Sequence, residues 1–124
     1  MIDDLLLNLN DDELFYRSYF EAGKRPDTLR KFLRSVDVDD ARRRHLIIPE
    51  LLPENISYQM NDDEYFSPDD SRNVFISPHN RYTPAFTHRH VFFEIAYVYS
   101  GRCTQNIGSG RVRFSAGDFI FIAP

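Results

Sequence analysis

The sequence predicts an α+β fold, with short N-terminal helices followed by an antiparallel β-sandwich or barrel. Two observations carry this. Apolar residues recur at helical spacing up to about residue 46, and from Asn73 onward their period falls to two. The later runs are also short, β-prone and cut by Gly- and Pro-containing turns, as closely spaced antiparallel strands require. A chain of 124 residues, 42% hydrophobic and 15% aromatic, suits one small globular domain. Its expected parts are a helical segment 1–60, an acidic linker or loop 61–72, and a β-domain 73–124.

In the first helix Asn10 and Glu13 are placed as N-cap and reciprocal partner. Leu14, Phe15, Ser18, Tyr19 and Ala22 then recur on one side until Gly23. After Pro26-Asp27, the residues Leu29, Phe32, Leu33 and Val36 make one apolar stripe, with Arg30, Lys31 and Arg34 outside it. A third helix runs from Asp39 toward Leu46, acidic at its start and basic at Arg42-Arg43-Arg44, in the sense the helix dipole favours. Two short helices joined by Gly-Lys-Arg-Pro raise a helix-turn-helix reading, and the arginine triplet a phosphate-contact reading. A packed appendage with a solvated charged face is favoured, because the first helix is acidic and the second lacks Asn and Gln to read adenine.

The stretch "NDDEYFSPDDS" reads as a solvated loop turned at Pro68 and Asp69-Asp70. Beyond it, "NVFIS", "FFEIAYVYS", "CTQNI", "RVRF" and "DFIFIA" are the candidate strands. Gly108-Ser109-Gly110 pairs 103–107 with 111–114 as a hairpin.

The net charge of −4 is unevenly spread. Residues 24–44 carry eight Lys and Arg against four acids, and 45–70 carry seven acids and no base. After residue 70 only Glu94 and Asp118 are acidic, against six Arg, so an acid within the apolar run is not ordinary surface decoration. No window approaches the roughly 20 apolar residues that span a bilayer, and the N-terminus lacks the basic start of a signal peptide, so no membrane partner and a cytoplasmic location are expected. Cys103 has neither an internal disulfide partner nor zinc-type spacing and reads as a strand-face residue.

Within "FTHRHVFFEIAYVYSG", residues 86–101, His88, His90 and Glu94 share parity. On one continuous strand they leave the same face, with Phe92, Ala96 and Val98. The opposite face receives Val91, Phe93, Ile95, Tyr97 and Tyr99, so a barrel interior lies on one side and a neighbour or partner subunit on the other. Three groups costly to bury unpaired therefore face inward together.

"HRHVFFEIAYVYSG" resembles the first cupin motif through His88, His90, Glu94 and Gly101. Tyr82 stands where that motif often has a Gly. "GDFIFIAP" is similar to the start of the second cupin motif, without its downstream His. With "RYTPAF", the combination over about 72–124 resembles the N-terminal cupin-like sensor domain, of the arabinose-binding and dimerisation type, of AraC-family transcriptional regulators.

The resemblance implies a partial jelly-roll cupin, truncated after the start of its second motif, at the front of a longer regulator. It implies binding of a sugar-like or other polar small effector, homodimerisation, and DNA contact only through C-terminal helix-turn-helix units not present in this chain. Positions matching His88, His90 and Glu94 hold a divalent metal in metal-binding cupins. No cofactor is expected here, and the metal set stands as one alternative. The others are a hydrogen-bonded rim, and an effector pocket of His88, His90, Glu94, Arg81, Tyr82 and Phe92.

The leading function is accordingly sensing and not catalysis. Ser100, Ser109 and Ser115 read as turn residues, and no separate acid–base pair is evident. A metal-dependent cupin enzyme, isomerase or oxygenase-like, is the alternative, and a structural fragment without activity is a third reading.

Overall fold

Backbone groups at helix ends need partners, and the sequence supplies them early in the chain. A computed structural model describes residues 1–66, 68–69 and 71–124. Ser67 and Asp70, and with Asp70 the turn expected at Asp69-Asp70, lie outside the described residues. The chain is α+β and divides into two compact units, Met1–Tyr58 with Val74–His88, and Gln59–Asn73 with Arg89–Pro124. Among the described residues no helix is long and apolar enough to cross a membrane.

The first unit holds α1 (Ile2–Leu7), α2 (Asp11–Ala22), α3 (Pro26–Ser35) and α4 (Val38–Arg43), then a 3-10 turn at Pro53–Asn55. α2 is capped as expected: Asn10 Oδ1 accepts the Glu13 N–H at 2.8 Å, and Glu13 Oε2 accepts the Asn10 N–H at 3.0 Å. Gly23 caps its other end. α1 was not foreseen, being six residues long with no polar cap to announce it.

The core of this unit is Tyr16, Ala41, Leu46, Ile48 and Leu52, with Ile48 and Leu52 fully inaccessible to solvent. The expected stripe on α2 is rotated. Leu14 is exposed and Tyr16 buried, because the Tyr16 hydroxyl accepts the Ile47 N–H at 2.8 Å and so can enter the core with its polar end satisfied. The stripe of α3 holds as read, with Leu33 and Val36 packed against that core.

α4 ends at Arg43, short of the expected Leu46, and the reason is a local hydrogen-bonded reversal. His45 adopts φ 53°, its N–H donates to Arg42 O at 3.1 Å, and the Leu46 N–H donates to Ala41 O at 2.9 Å. This is a Schellman closure, accompanied by burial of both Ala41 and Leu46. The left-handed position is one that glycine fills without a Cβ clash. His45→Gly is therefore expected to raise stability by about 0.5–1 kcal/mol, the relieved strain exceeding the added unfolded-chain entropy. Urea unfolding at pH 7 checks it.

Each guanidinium of the arginine triplet meets carboxylates: Arg42 meets Asp39 and Glu54, Arg43 meets Asp40, and Arg44 meets Asp12 at 2.6 Å and Asp40 at 3.2 Å. The triplet thus ties α4 to the start of α2 through Asp12 and to the 3-10 turn through Glu54.

In the second unit, β1 (Gln59–Met60) pairs in parallel with β2 (Arg89–His90), a 3-10 turn (Asp62–Glu64) follows β1, and β3 (Glu94–Tyr97) pairs antiparallel with β6 (Phe119–Ile122). Between them β4 (Arg102–Ile107) and β5 (Gly110–Ser115) form the expected hairpin, turned at Gly108-Ser109. The two antiparallel pairings nest into one ribbon with a register step, since 98–101 on one side face only 116–118 on the other. Gly101 (φ 77°) and Gly117 (φ 95°) occupy that step, where side chains would be strained.

The strands pair two by two, and among the described residues no barrel closes, where only a partial one was expected. One expectation is corrected. The "NVFIS" run forms no strand. Ile76 is 90% exposed, and Val74 and Phe75 are exposed with it. β-propensity expresses fit against neighbouring strands, and among the described residues no strand pairs with this segment.

Candidate functional site

β2 and β3 are not one continuous strand, because 91–93 interrupt them. Strand parity therefore holds only from Glu94 onward, although the alternation in exposure continues through the break: His90, Phe92, Glu94, Ala96 and Val98 are partly covered and Val91, Phe93, Ile95, Tyr97 and Tyr99 are exposed. His90 Nε2 lies 2.9 Å from Glu94 Oε2, with the His90 side chain 7% and the Glu94 side chain 31% exposed. An Nε2–H donated to the carboxylate keeps both groups satisfied at a depth where either alone would be costly.

Aromatic rings wall this pair. Phe92 lies 5.0 Å from the His90 ring, Tyr65 packs edge-on to Phe92 at 5.3 Å, and the Tyr65 hydroxyl reaches Met60 Sδ at 3.5 Å. Met60 is the ladder partner of His90. Sequence reasoning missed Met60 and Tyr65. The signal for Tyr65 was a lone Tyr-Phe pair inside an otherwise acidic loop.

The other candidates belong to the first unit. His88 is exposed, its ring against Phe86 at 4.9 Å. Tyr82 adopts φ 63° and packs against Phe20 at 5.8 Å. Arg81 anchors its loop. Its Nε and Nη2 donate to Glu13 at 2.9 and 3.0 Å, its backbone N–H donates to Glu13 Oε1 at 3.0 Å, and its Nη1 and Nη2 donate to the carbonyls of Leu7 and Asn8. Glu13 is 5% exposed, and the Arg81 guanidinium holds its carboxyl down from 4.5 to about 2 against the opposing effect of burial.

The structure thus brings together His90, Phe92 and Glu94, while Arg81 and Tyr82 are engaged with α1 and α2. The expected metal set loses its strand-parity basis, because His88 precedes β2 and 91–93 separate His90 from Glu94. Among the described residues no group of three or more His, Cys, Asp or Glu could hold a metal ion.

The His90–Glu94 pair is a polar couple set beside the rings of Phe92 and Tyr65. It is seated in the β unit of an α+β chain. Residues 75–124, about two fifths of the chain, match the family model of the AraC-like ligand binding domain, in agreement with the resemblance carried by 72–124. No curated protein and no solved structure matches the chain at a significant level.

Proposed function

We propose that residues 73–124 are the effector-sensing and dimerising portion of an AraC-type transcriptional regulator, built on the cupin plan and acting in the cytoplasm without catalysis. In this reading 1–60 form a helical N-terminal segment joined through 61–72, no cofactor is needed, and sequence-specific DNA recognition belongs to helix-turn-helix units outside residues 1–124. The observation that carries it is the family match over 75–124, with the His90–Glu94 pair inside the matched segment. The effector is a polar small molecule such as a sugar, whose hydroxyls suit the pair and whose ring face suits Phe92.

Titration of the chain with pentoses, hexoses and other polar metabolites, followed by calorimetry, tests this. With any ligand found, Glu94→Leu is expected to weaken binding about tenfold, because it leaves the covered His90 without its carboxylate. Arg89→Ala should stay within about twofold, since Arg89 is exposed and bonded to Gln59. Equal losses in two variants of unchanged stability would count against the assignment.

Dimerisation is assigned to a second copy meeting the face formed by Phe93, Ile95, Tyr97, Phe119 and Phe121. All five are exposed, Phe119 by 70%, and Phe93 stacks on Phe121 at 5.3 Å. Ladder partners Ile95↔Phe121 and Tyr97↔Phe119 make the patch continuous, and each large apolar side chain left in water forfeits roughly 1.5–3 kcal/mol. Sedimentation at micromolar concentration should show self-association that Ile95→Glu reduces. A monodisperse wild-type monomer would refute this assignment.

A further inference from the structure

The β4–β5 hairpin has two chemically unlike faces. Directly opposed residues share a face, so the register Arg102↔Ser115, Thr104↔Arg113 and Asn106↔Arg111 places these six side chains together. Each of three successive rungs thus carries one guanidinium beside one hydroxyl or amide. Alternate rungs put Cys103, Gln105, Val112 and Phe114 on the reverse, where Gln105 and Phe114 are the partly covered members.

Several observations separate this face from ordinary surface charge. Arg102, Arg111 and Arg113 are exposed, and among the described residues none is ion-paired, whereas the Arg42-Arg43-Arg44 triplet is fully matched with carboxylates. No acid shares the face. The nearest in sequence, Asp118, accepts the Ser115 backbone N–H at 2.8 Å at the base of the ribbon. Like charges on neighbouring rungs repel, and three rungs of arginine without a counter-charge suit a polyanion that supplies it.

We propose that this face is an additional contact surface for duplex DNA, sequence recognition staying with the helix-turn-helix units of the proposed function. Rungs bearing arginine recur every two residues, about 6.8 Å along the strand, so a line of positive charge runs along the ribbon. A two-stranded ribbon is of a width the B-DNA major groove admits, whereas the major groove of A-form RNA is too deep and narrow for side chains to read. The guanidiniums contact phosphates, and Thr104, Asn106 and Ser115 add neutral donors beside them. The surface is independent of the His90–Glu94 pair, and the inference stands whether or not that pair binds an effector.

Fluorescence anisotropy of a labelled 30-base-pair duplex, titrated with the 124-residue chain across a potassium chloride series, tests it. Three phosphate contacts predict a slope of log Kobs on log salt near −2.7. Arg102→Gln/Arg111→Gln/Arg113→Gln is expected to weaken binding at least tenfold and to flatten the slope. The corresponding triple Lys variant should retain both, which separates lost charge from lost folding. Lys31→Gln/Arg34→Gln on α3 should leave both unchanged.

The inference is overturned if the wild-type chain does not bind duplex, if the α3 variant loses binding as fully as the ribbon variant, or if the triple Lys variant binds no better than the triple Gln variant. It is also overturned if duplex RNA or polyglutamate of matched charge competes as well as the DNA does, since the surface would then accept polyanions without regard to the groove.

Discussion

Arg81→Ala is expected to lower the unfolding free energy by about 3–5 kcal/mol at pH 7, because it leaves the Glu13 carboxylate buried without its guanidinium. The substitution also removes the bonds to the carbonyls of Leu7 and Asn8 that fix the 78–88 loop to the α1–α2 junction. Acid should narrow the gap. With Arg81 present, the Glu13 carboxyl is depressed from 4.5 to about 2, so its stabilisation is complete above pH 4.5 and is lost as pH falls toward 2. This contribution is on the order of 2 kcal/mol, allowing for the solvent that reaches Arg81. Without the guanidinium the largest cause of that depression is gone, and only the backbone N–H groups of residues 81 and 10 still oppose burial. Urea melts at pH 7 and pH 3 should show a deficit clearly larger at pH 7, and Arg81→Ala/Glu13→Gln should recover part of it. A deficit independent of pH would mean that the ion pair is not its source.

The second large effect is expected at Leu52. Its side chain is fully buried in the cluster with Tyr16, Ala41, Leu46 and Ile48, so Leu52→Ala should cost about 2–5 kcal/mol through lost transfer energy and the cavity left behind. Ile48→Val, which removes one methylene from an equally buried neighbour, should cost only about 0.5–1.5 kcal/mol. Small domains are stable by roughly 5–15 kcal/mol in total, so the first variant should approach unfolding at modest urea and the second should not. A Leu52→Ala midpoint indistinguishable from wild type would show that this cluster does not govern the unit's stability.

What the sequence made legible was what its local chemistry determines. Asn10, Glu13 and Gly23 bound α2 because capping acts over three or four residues, and the stripe on α3 is set by helical periodicity alone. The β4–β5 hairpin was readable because its turn and both strands lie within fifteen residues. Long-range choices were not readable. Glu13 serves its own helix start and also takes Arg81, 68 positions away, and no spacing rule announces such a partner. His45 closes a helix in a conformation usually given to glycine, so the end of α4 carried no flag. At the candidate site the His90–Glu94 pairing agrees with the shared parity, although the backbone between them does not run as one strand. His88 is exposed and stands before β2, and parity extends only as far as a strand does. The 73–77 run had the composition of a strand, but pairing depends on a neighbour that composition does not supply.

The nested ribbon also bears on the order in which the β unit assembles. Bringing β3 to β6 in an unstructured chain closes the loop between Tyr97 and Phe119, whereas a preformed β4–β5 hairpin leaves only 98–101 and 116–118 to be ordered. Loop-closure cost grows as three-halves RT times the logarithm of length, so the hairpin lowers the entropic barrier to the second pairing by about 1 kcal/mol. Hairpins close in roughly 1–10 μs. Zippering outward from Gly108-Ser109 is thus the fast route, and β3 and β6, with their exposed Phe and Tyr side chains, are the last strands of the ribbon to pair.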